Sequence, residues 1–374
     1  MEKSKSQQAD ATMLEPKAKK HFVLVHAACH GAWSWYKIVA LLRSSGHNVT
    51  ALDLAASGIN PKQTFEVPLF SDYLIPLMEF MASLPAHEKV VLVGHSYGGL
   101  AISKAMETFP EKISVAVFVS AHMPGPNINV TTIYTELFKS ISQPDNHIIY
   151  DNGPTNPPTT YILGPKYMET DVYQRSSIQD LALASTLVRP ISFYSVEDVS
   201  KEIVITNKRY GSVRRAFIVA VEDKLLKKEF QWLMIEKNPP DEVKEIQGSD
   251  TMIMMSKPQQ LFTTLLSIAN NMPWSLVLAI ALEDSPFLVR PFYLYPVEDV
   301  AKEIVLSREK YGSVRRVFIV VAENKGLKKD FQQLMIEKNP PDEVEEIDGS
   351  DHVTMMSKPQ QLFTTLLGNA NKYT

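Results

Sequence analysis

With 374 residues, 45% of them hydrophobic and 21% charged, the chain has the make-up of an ordinary globular protein of about two domains, which excludes disordered, collagen-like and coiled-coil classes. A formal net charge of −4 lacks the basic footprint of a nucleic-acid binder. The single cysteine, Cys29, can close no internal disulfide and build no cysteine-based zinc site.

Residues 1–20 are polar and lysine-rich and are expected to form a disordered tail without the apolar run of a secretory leader. The longest apolar stretch, residues 275–282 (SLVLAIAL), stops at Glu283, well short of the roughly 18 residues a membrane span needs. A cytoplasmic protein without membrane or nucleic-acid partners is the simplest expectation.

The front part, residues 21–121, alternates apolar runs with helical patterns. Residues 21–27 (HFVLVHA), 48–54 (NVTALDL), 89–94 (KVVLVG) and 113–120 (ISVAVFVS) read as strands. Residues 35–45 read as a helix, and so does the stretch carrying Leu100, Ile102, Ala105 and Met106. Unbroken Val/Ile/Leu runs indicate strands buried on both faces, and strands alternating with helices indicate a mostly parallel sheet covered by helices on both sides. Residues 122–186, rich in Pro, Asn, Thr and Tyr, break the rhythm and read as an inserted cap over the C-terminal edge of the sheet.

The second half contains a duplication. Residues 210–235 recur at 311–336, and the following EKNPPDEVKEIQGSDTMIMMSKPQQLFTTLL recurs as EKNPPDEVEEIDGSDHVTMMSKPQQLFTTLL. Residues 187–274 and 275–374 are thus two versions of one strand–helix–strand–helix unit. Two copies are too few for a solenoid. Two near-identical strands, residues 214–221 and 315–322, compete for one place in the sheet. The surplus copy must pack elsewhere or exchange between chains into a homodimer.

Gly94-His95-Ser96-Tyr97-Gly98 fits G-x-S-x-G, after an apolar strand and before a helix, the setting that raises a serine hydroxyl above a sheet edge as a nucleophile. Such a serine needs a base, and the partners are expected in the order serine, acid, histidine. Only His122, His147 and His352 follow Ser96. His352, in Gly-Ser-Asp-His after the last apolar strand, is the expected base; His122 is the alternative, or a pocket residue. Asp223 stands where the orienting acid belongs, with a solvated loop carboxylate as the plainer reading. The second copy has Asn324 in place of Asp223, and the first has Thr251 in place of His352, so each copy lacks one member. The small residues Ala27 and Ala28 follow the first strand, so the N–H groups of Ala28 and Tyr97 are the candidate oxyanion donors. No histidine–carboxylate cluster has metal spacing, and no phosphate loop or dinucleotide fingerprint is present, so no metal or cofactor is expected.

The segments HFVLVHAACHGAWSWYK, ALDLAASGINP, VVLVGHSYGGL and AMETFPEKISVAVFVSAHMP resemble the plant methylesterase family, over residues 21–274 as one family-length chain. The resemblance implies an α/β-hydrolase fold with an inserted cap. It also implies cofactor-free hydrolysis of methyl esters of small plant acids such as salicylate, jasmonate, indole-acetate or alkaloid-type acids. Carried over by motif, Ser96, Asp223 and His352 are the triad and Ala28 and Tyr97 the oxyanion donors. Ala27, His122, Tyr134, Phe138 and Tyr161 are candidate pocket residues. The related α-hydroxynitrile lyases typically have Thr at 27, Glu at 95 and Lys after the histidine, where this chain has Ala27, His95 and Val353. Three arrangements follow. Copy one in the sheet gives Ser96, Asp223 and Thr251 without a base; copy two gives Asn324 and His352, with an amide that permits the wrong imidazole tautomer; a hybrid gives the full triad. A triad-impaired binder of small acids or esters is therefore the competing functional class.

Overall fold

The computed structural model describes residues 19–141, 145–270 and 315–373, and the chain divides into two compact units, one ending at Arg290 and one starting at Pro291. All but the last two residues of the expected tail lie outside the described residues.

Along the first unit run β1 (His21–Val25), α1 (Tyr36–Ser44), β2 (Asn48–Leu52), α2 (Phe70–Ser83), β3 (Val90–Ser96), α3 (Gly98–Thr108) and β4 (Ile113–Ala121). They are followed by α4 (Val130–Ile141), β5 (His147–Ile149), β6 (Thr160–Ile162), β7 (Ile191–Ser192), β8 (Arg215–Ala220) and β9 (Glu242–Ile246). Six strands form one parallel sheet in the order β2-β1-β3-β4-β8-β9. The four strands expected in the front part are all present, and β3 runs two residues past its expected end, into Ser96. Phe22 to Val25 and Val115 to Val119 are essentially fully buried, as strands covered on both faces must be. The cap contains α4, the helix Ile178–Leu187 and the antiparallel sheet β5-β6-β7. Its third strand comes from beyond the boundary expected at residue 186. No helix among the described residues is long and apolar enough to cross a membrane.

The contested place in the sheet is taken by the first copy: β8 pairs with β4, and β9 with β8. The second unit holds the later copy as a parallel pair of its own, β10 (Val317–Val321) with β11 (Glu343–Ile347), followed by the helix Pro359–Tyr373. The residues that differ between the copies supply the physical reason. Ile253 and Ile268 are fully buried in the first unit, where the second copy offers Thr354 and Asn369. Ala216 and Ala220 are also fully buried, where the second copy has the larger Val317 and Val321. Burying a hydroxyl and an amide without partners, and forcing extra methyl groups into a packed strand, each costs on the order of 1–3 kcal/mol. The preference for the first copy is therefore a sum of several such terms. The apolar face that the first copy buries is exposed in the second: Phe262 is 2% exposed and Phe363 62%, Met254 0% and Met355 64%.

Ile268→Asn is expected to destabilise the first unit by about 3 kcal/mol, from lost apolar burial plus an unpaired amide. Denaturant unfolding monitored by near-UV circular dichroism measures it, and a midpoint shift worth under about 0.5 kcal/mol would contradict the packing explanation.

Candidate active site

β3 ends directly in the turn that carries Ser96, and the Ser96 backbone is held at φ +50°, the left-handed region that a side-chain-bearing residue adopts only under constraint. The constraint comes from close approach on both sides. A Cβ on Gly98 would sit 2.6 Å from the His26 carbonyl oxygen and one on Gly94 2.8 Å from the Gly98 carbonyl oxygen, so helix α3 can start this near β1 only with glycine at both positions. The start of α3 follows within two residues of Ser96 and favours negative charge developing there.

Asp223 follows β8 and is buried, which excludes the solvated-loop reading. Its Oδ2 accepts from Ser120 Oγ at 2.6 Å. Its Oδ1 accepts from the backbone N–H groups of Leu225 (2.8 Å) and Leu226 (3.0 Å) and from Thr251 Oγ1 at 2.6 Å. Thr251 thus occupies, toward Asp223, the place of a triad histidine, and it offers a hydroxyl instead of an imidazole. Its loop is tied back to the serine turn, because His95 Nε2 donates to the Thr251 carbonyl at 2.7 Å. Burial raises the Asp223 carboxyl to about 6, against the hydrogen bonds that hold it down.

Four other imidazoles surround this turn, all buried. His26 Nδ1 donates to the Ala27 carbonyl (2.7 Å) and its Nε2 accepts the Leu54 N–H (3.1 Å). His30 Nδ1 donates to the Ala28 carbonyl (2.8 Å) and its Nε2 accepts the Tyr173 hydroxyl (2.7 Å). Burial lowers His30 to about 4, His95 to about 3 and His122 to about 4, so all three are neutral at pH 7. His122 stands edge-on to the Tyr97 ring at 6.4 Å, its backbone N–H donates to the Ser96 carbonyl (3.0 Å), and its Nδ1 has no hydrogen-bond partner among the described residues. Cys29 is buried, with its thiol pushed up to about 12, and behaves as an inert filler.

A small cavity of about 30 Å³ lies beside the turn, lined by Ala28, Tyr97, Tyr134, Leu137, Tyr161, Ile191, Ser192 and Phe193. Both candidate oxyanion residues, Ala28 and Tyr97, therefore border it, together with two of the candidate pocket residues, Tyr134 and Tyr161. Ala27 and His122 are buried but do not line it. Phe138 lies on α4, and its side chain is outside the described residues. Leu137 and the run Ile191 to Phe193 are lining residues that the sequence reading missed. Leu137 comes from α4, and Ile191 to Phe193 arrive through the pairing of β7 with β6, which no local pattern announces.

His352 lies in the second unit. There its Nδ1 is 3.1 Å from Asn324 Oδ1. The first unit thus brings together Ser96, Asp223 and Thr251, and the second unit pairs His352 with Asn324.

A parallel sheet whose third strand ends in a strained serine, with a buried carboxylate after the β8 strand, defines an α/β-hydrolase. The alpha/beta hydrolase family model matches residues 22–264. Methyl jasmonate esterase 1 of Vitis vinifera is 52% identical over 257 residues, covering 68% of this chain and 98% of that protein. Polyneuridine aldehyde esterase of Rauvolfia serpentina is 48% identical over 258 residues, covering 68% and 97%. Among solved structures, tomato Methylketone Synthase I complexed with 2-tridecanone is 71% identical, with a TM-score of 0.67, covering 68% of this chain and 100% of that one. The chain belongs to the alpha/beta hydrolase family and, within it, to the plant methylesterase family.

The raised carboxyl of Asp223 sets a pH dependence. The folded state holds this proton up to about pH 6, whereas the unfolded chain releases it near 3.8. The folded state therefore loses stability as pH rises between those values, by up to about 3 kcal/mol. Asp223→Asn removes that loss, so the variant should melt close to the parent at pH 4 and well above it at pH 7. A stability difference that does not grow with pH would contradict the assignment.

Proposed function

We propose that the protein is a carboxylic ester hydrolase acting on methyl esters of small apolar plant acids through an acyl-enzyme on Ser96. Family membership and the strained serine turn beside an apolar, aromatic cavity support this reading; the turn itself is the observation that carries it. In it, Ser96 is the nucleophile, the Ala28 and Tyr97 N–H groups receive the oxyanion, Asp223 is the orienting acid and His352 the base. His352 takes the Ser96 proton as the hydroxyl attacks the ester carbonyl. Methanol leaves with that proton, and water activated by the same imidazole releases the acid.

The hydroxyl of Thr251 on Asp223 favours a second reading, in which the apolar cavity serves without acyl transfer. The structures of tomato Methylketone Synthase I carry 2-tridecanone or beta-ketoheptanoate, a methyl ketone and a β-keto acid. Loss of CO2 from a β-keto acid, with a proton returned to the resulting enolate, yields a methyl ketone and consumes no serine nucleophile. This second reading is a keto-acid or ketone site that needs neither Ser96 nor His352.

A panel of methyl esters and beta-ketoheptanoate separates the two, using wild type, Ser96→Ala, His352→Ala and Thr251→His. The esterase reading predicts ester turnover in wild type that falls by about 10²–10⁴-fold in Ser96→Ala and in His352→Ala. The keto-acid reading predicts no ester turnover until Thr251→His supplies an imidazole to Asp223, with keto-acid consumption indifferent to Ser96→Ala.

A further inference from the structure

We infer that Asn324 is a positioning residue that holds His352 as the Nδ1–H tautomer and leaves Nε2 free to accept a proton. The inference rests on His352 as the proposed base, and puts Asn324 in place of Asp223 as the group that meets its Nδ1. The geometry itself lies wholly in the second unit.

Asparagine beside a histidine is ordinarily ambiguous, because the amide can turn either its oxygen or its NH2 toward the ring. Here the backbone removes the ambiguity. The Gly326 N–H (3.0 Å) and the Leu327 N–H (2.8 Å) both point at Asn324 Oδ1. An NH2 group at that position would set donors against donors, so the oxygen must face them. The same oxygen is 3.1 Å from His352 Nδ1. A ring nitrogen that meets a carbonyl oxygen must carry the hydrogen, so Nδ1 is protonated and the lone pair stays on Nε2. Nε2 is the atom that takes a serine proton in hydrolases of this type.

The first unit shows that the arrangement is inherited from a carboxylate site. Asp223 Oδ1 accepts the corresponding N–H groups, Leu225 at 2.8 Å and Leu226 at 3.0 Å, and meets Thr251 Oγ1 at 2.6 Å where Asn324 meets the ring. Replacing aspartate by asparagine therefore removes the negative charge and keeps the acceptor in place. The expectation that an amide frees the imidazole to take the wrong tautomer does not hold when two backbone N–H groups fix the amide. Gly326, where the first copy has Leu225, leaves the pair uncovered: a Cβ there would come within 3.5 Å of both Asn324 Oδ1 and His352 Nδ1.

The test uses the full chain labelled with ¹⁵N-histidine, at a pH where the His352 ring is neutral, with the His352 signals assigned by their loss in His352→Gln. The ring ¹⁵N shifts report the tautomer directly. Wild type and Asn324→Asp should show Nδ1–H as the majority form, and Asn324→Leu should lose that bias by about five-fold, the worth of one hydrogen bond. Backbone amide spectra confirm that the Leu variant keeps its fold. A wild-type tautomer ratio equal to that of Asn324→Leu would overturn the inference. Ester kinetics on the same variants separate it from the reading it serves: a fall in kcat at unchanged KM in Asn324→Leu, rescued in Asn324→Asp, supports both. A shifted tautomer with kcat unchanged leaves the positioning intact and removes His352 as the base.

Discussion

The hydrogen bond from Thr251 to Asp223, 2.6 Å long and buried, is the contact on which the proposed chemistry turns. In a hydrolase of this architecture the carboxylate at the end of β8 exists to orient an imidazole. Here the carboxylate is kept, with its two backbone donors and the Ser120 hydroxyl, and a threonine stands in the ring's place. A hydroxyl can satisfy a buried acceptor as well as an imidazole can, so folding tolerates the change. It cannot take a proton at neutral pH, so the proposed acyl transfer needs a base from elsewhere in the chain. Burial pushes the carboxyl up to about 6 in spite of the hydrogen bonds that hold it down.

Packing and the proposed chemistry select different copies of the duplicated unit. The sheet takes the copy whose differing residues are apolar where they are buried, Ile253 and Ile268, and small where strand β8 is crowded, Ala216 and Ala220. That copy happens to be the one without an imidazole. The copy that carries His352 has polar Thr354 and Asn369 in place of the two isoleucines and bulkier Val317 and Val321 in place of the two alanines, and Asn369 donates to Glu345 at 2.7 Å. The energetics of burial thus decide which residue faces the carboxylate, and nothing in those energetics rewards a base.

Much of the fold was legible because its signals are local. Strands β1, β3 and β4 are built on apolar runs, and the serine turn is punctuated by two glycines whose necessity is steric. Helix α2 was not assigned from sequence, because Pro76 sits in its interior and interrupts the helical reading. Strand β7, beyond the expected cap boundary, is two residues long and is defined by its pairing with β6 and not by its own composition. For the same reason Ile191 to Phe193 are not legible around the cavity, and Leu137 on α4 carries no mark of its own, whereas the aromatic character of Tyr134 and Tyr161 does. The split between Asp223 with Thr251 and Asn324 with His352 could be read from the repeat alone. Which copy fills the sheet could not, because the preference is distributed over several buried positions, none decisive by itself. The pinning of Asn324 by two backbone N–H groups was equally invisible, being a property of loop geometry.

The central claim is that the reactivity of Ser96 depends on an imidazole that the first copy does not contain. Covalent capture by a fluorophosphonate measures this most directly, with the rate of adduct formation on Ser96 followed by mass spectrometry of the full chain. The account predicts labelling in wild type, its loss by about 10²-fold or more in His352→Ala, and its return when Thr251→His is added to that variant. Equal labelling rates in wild type and His352→Ala would contradict it.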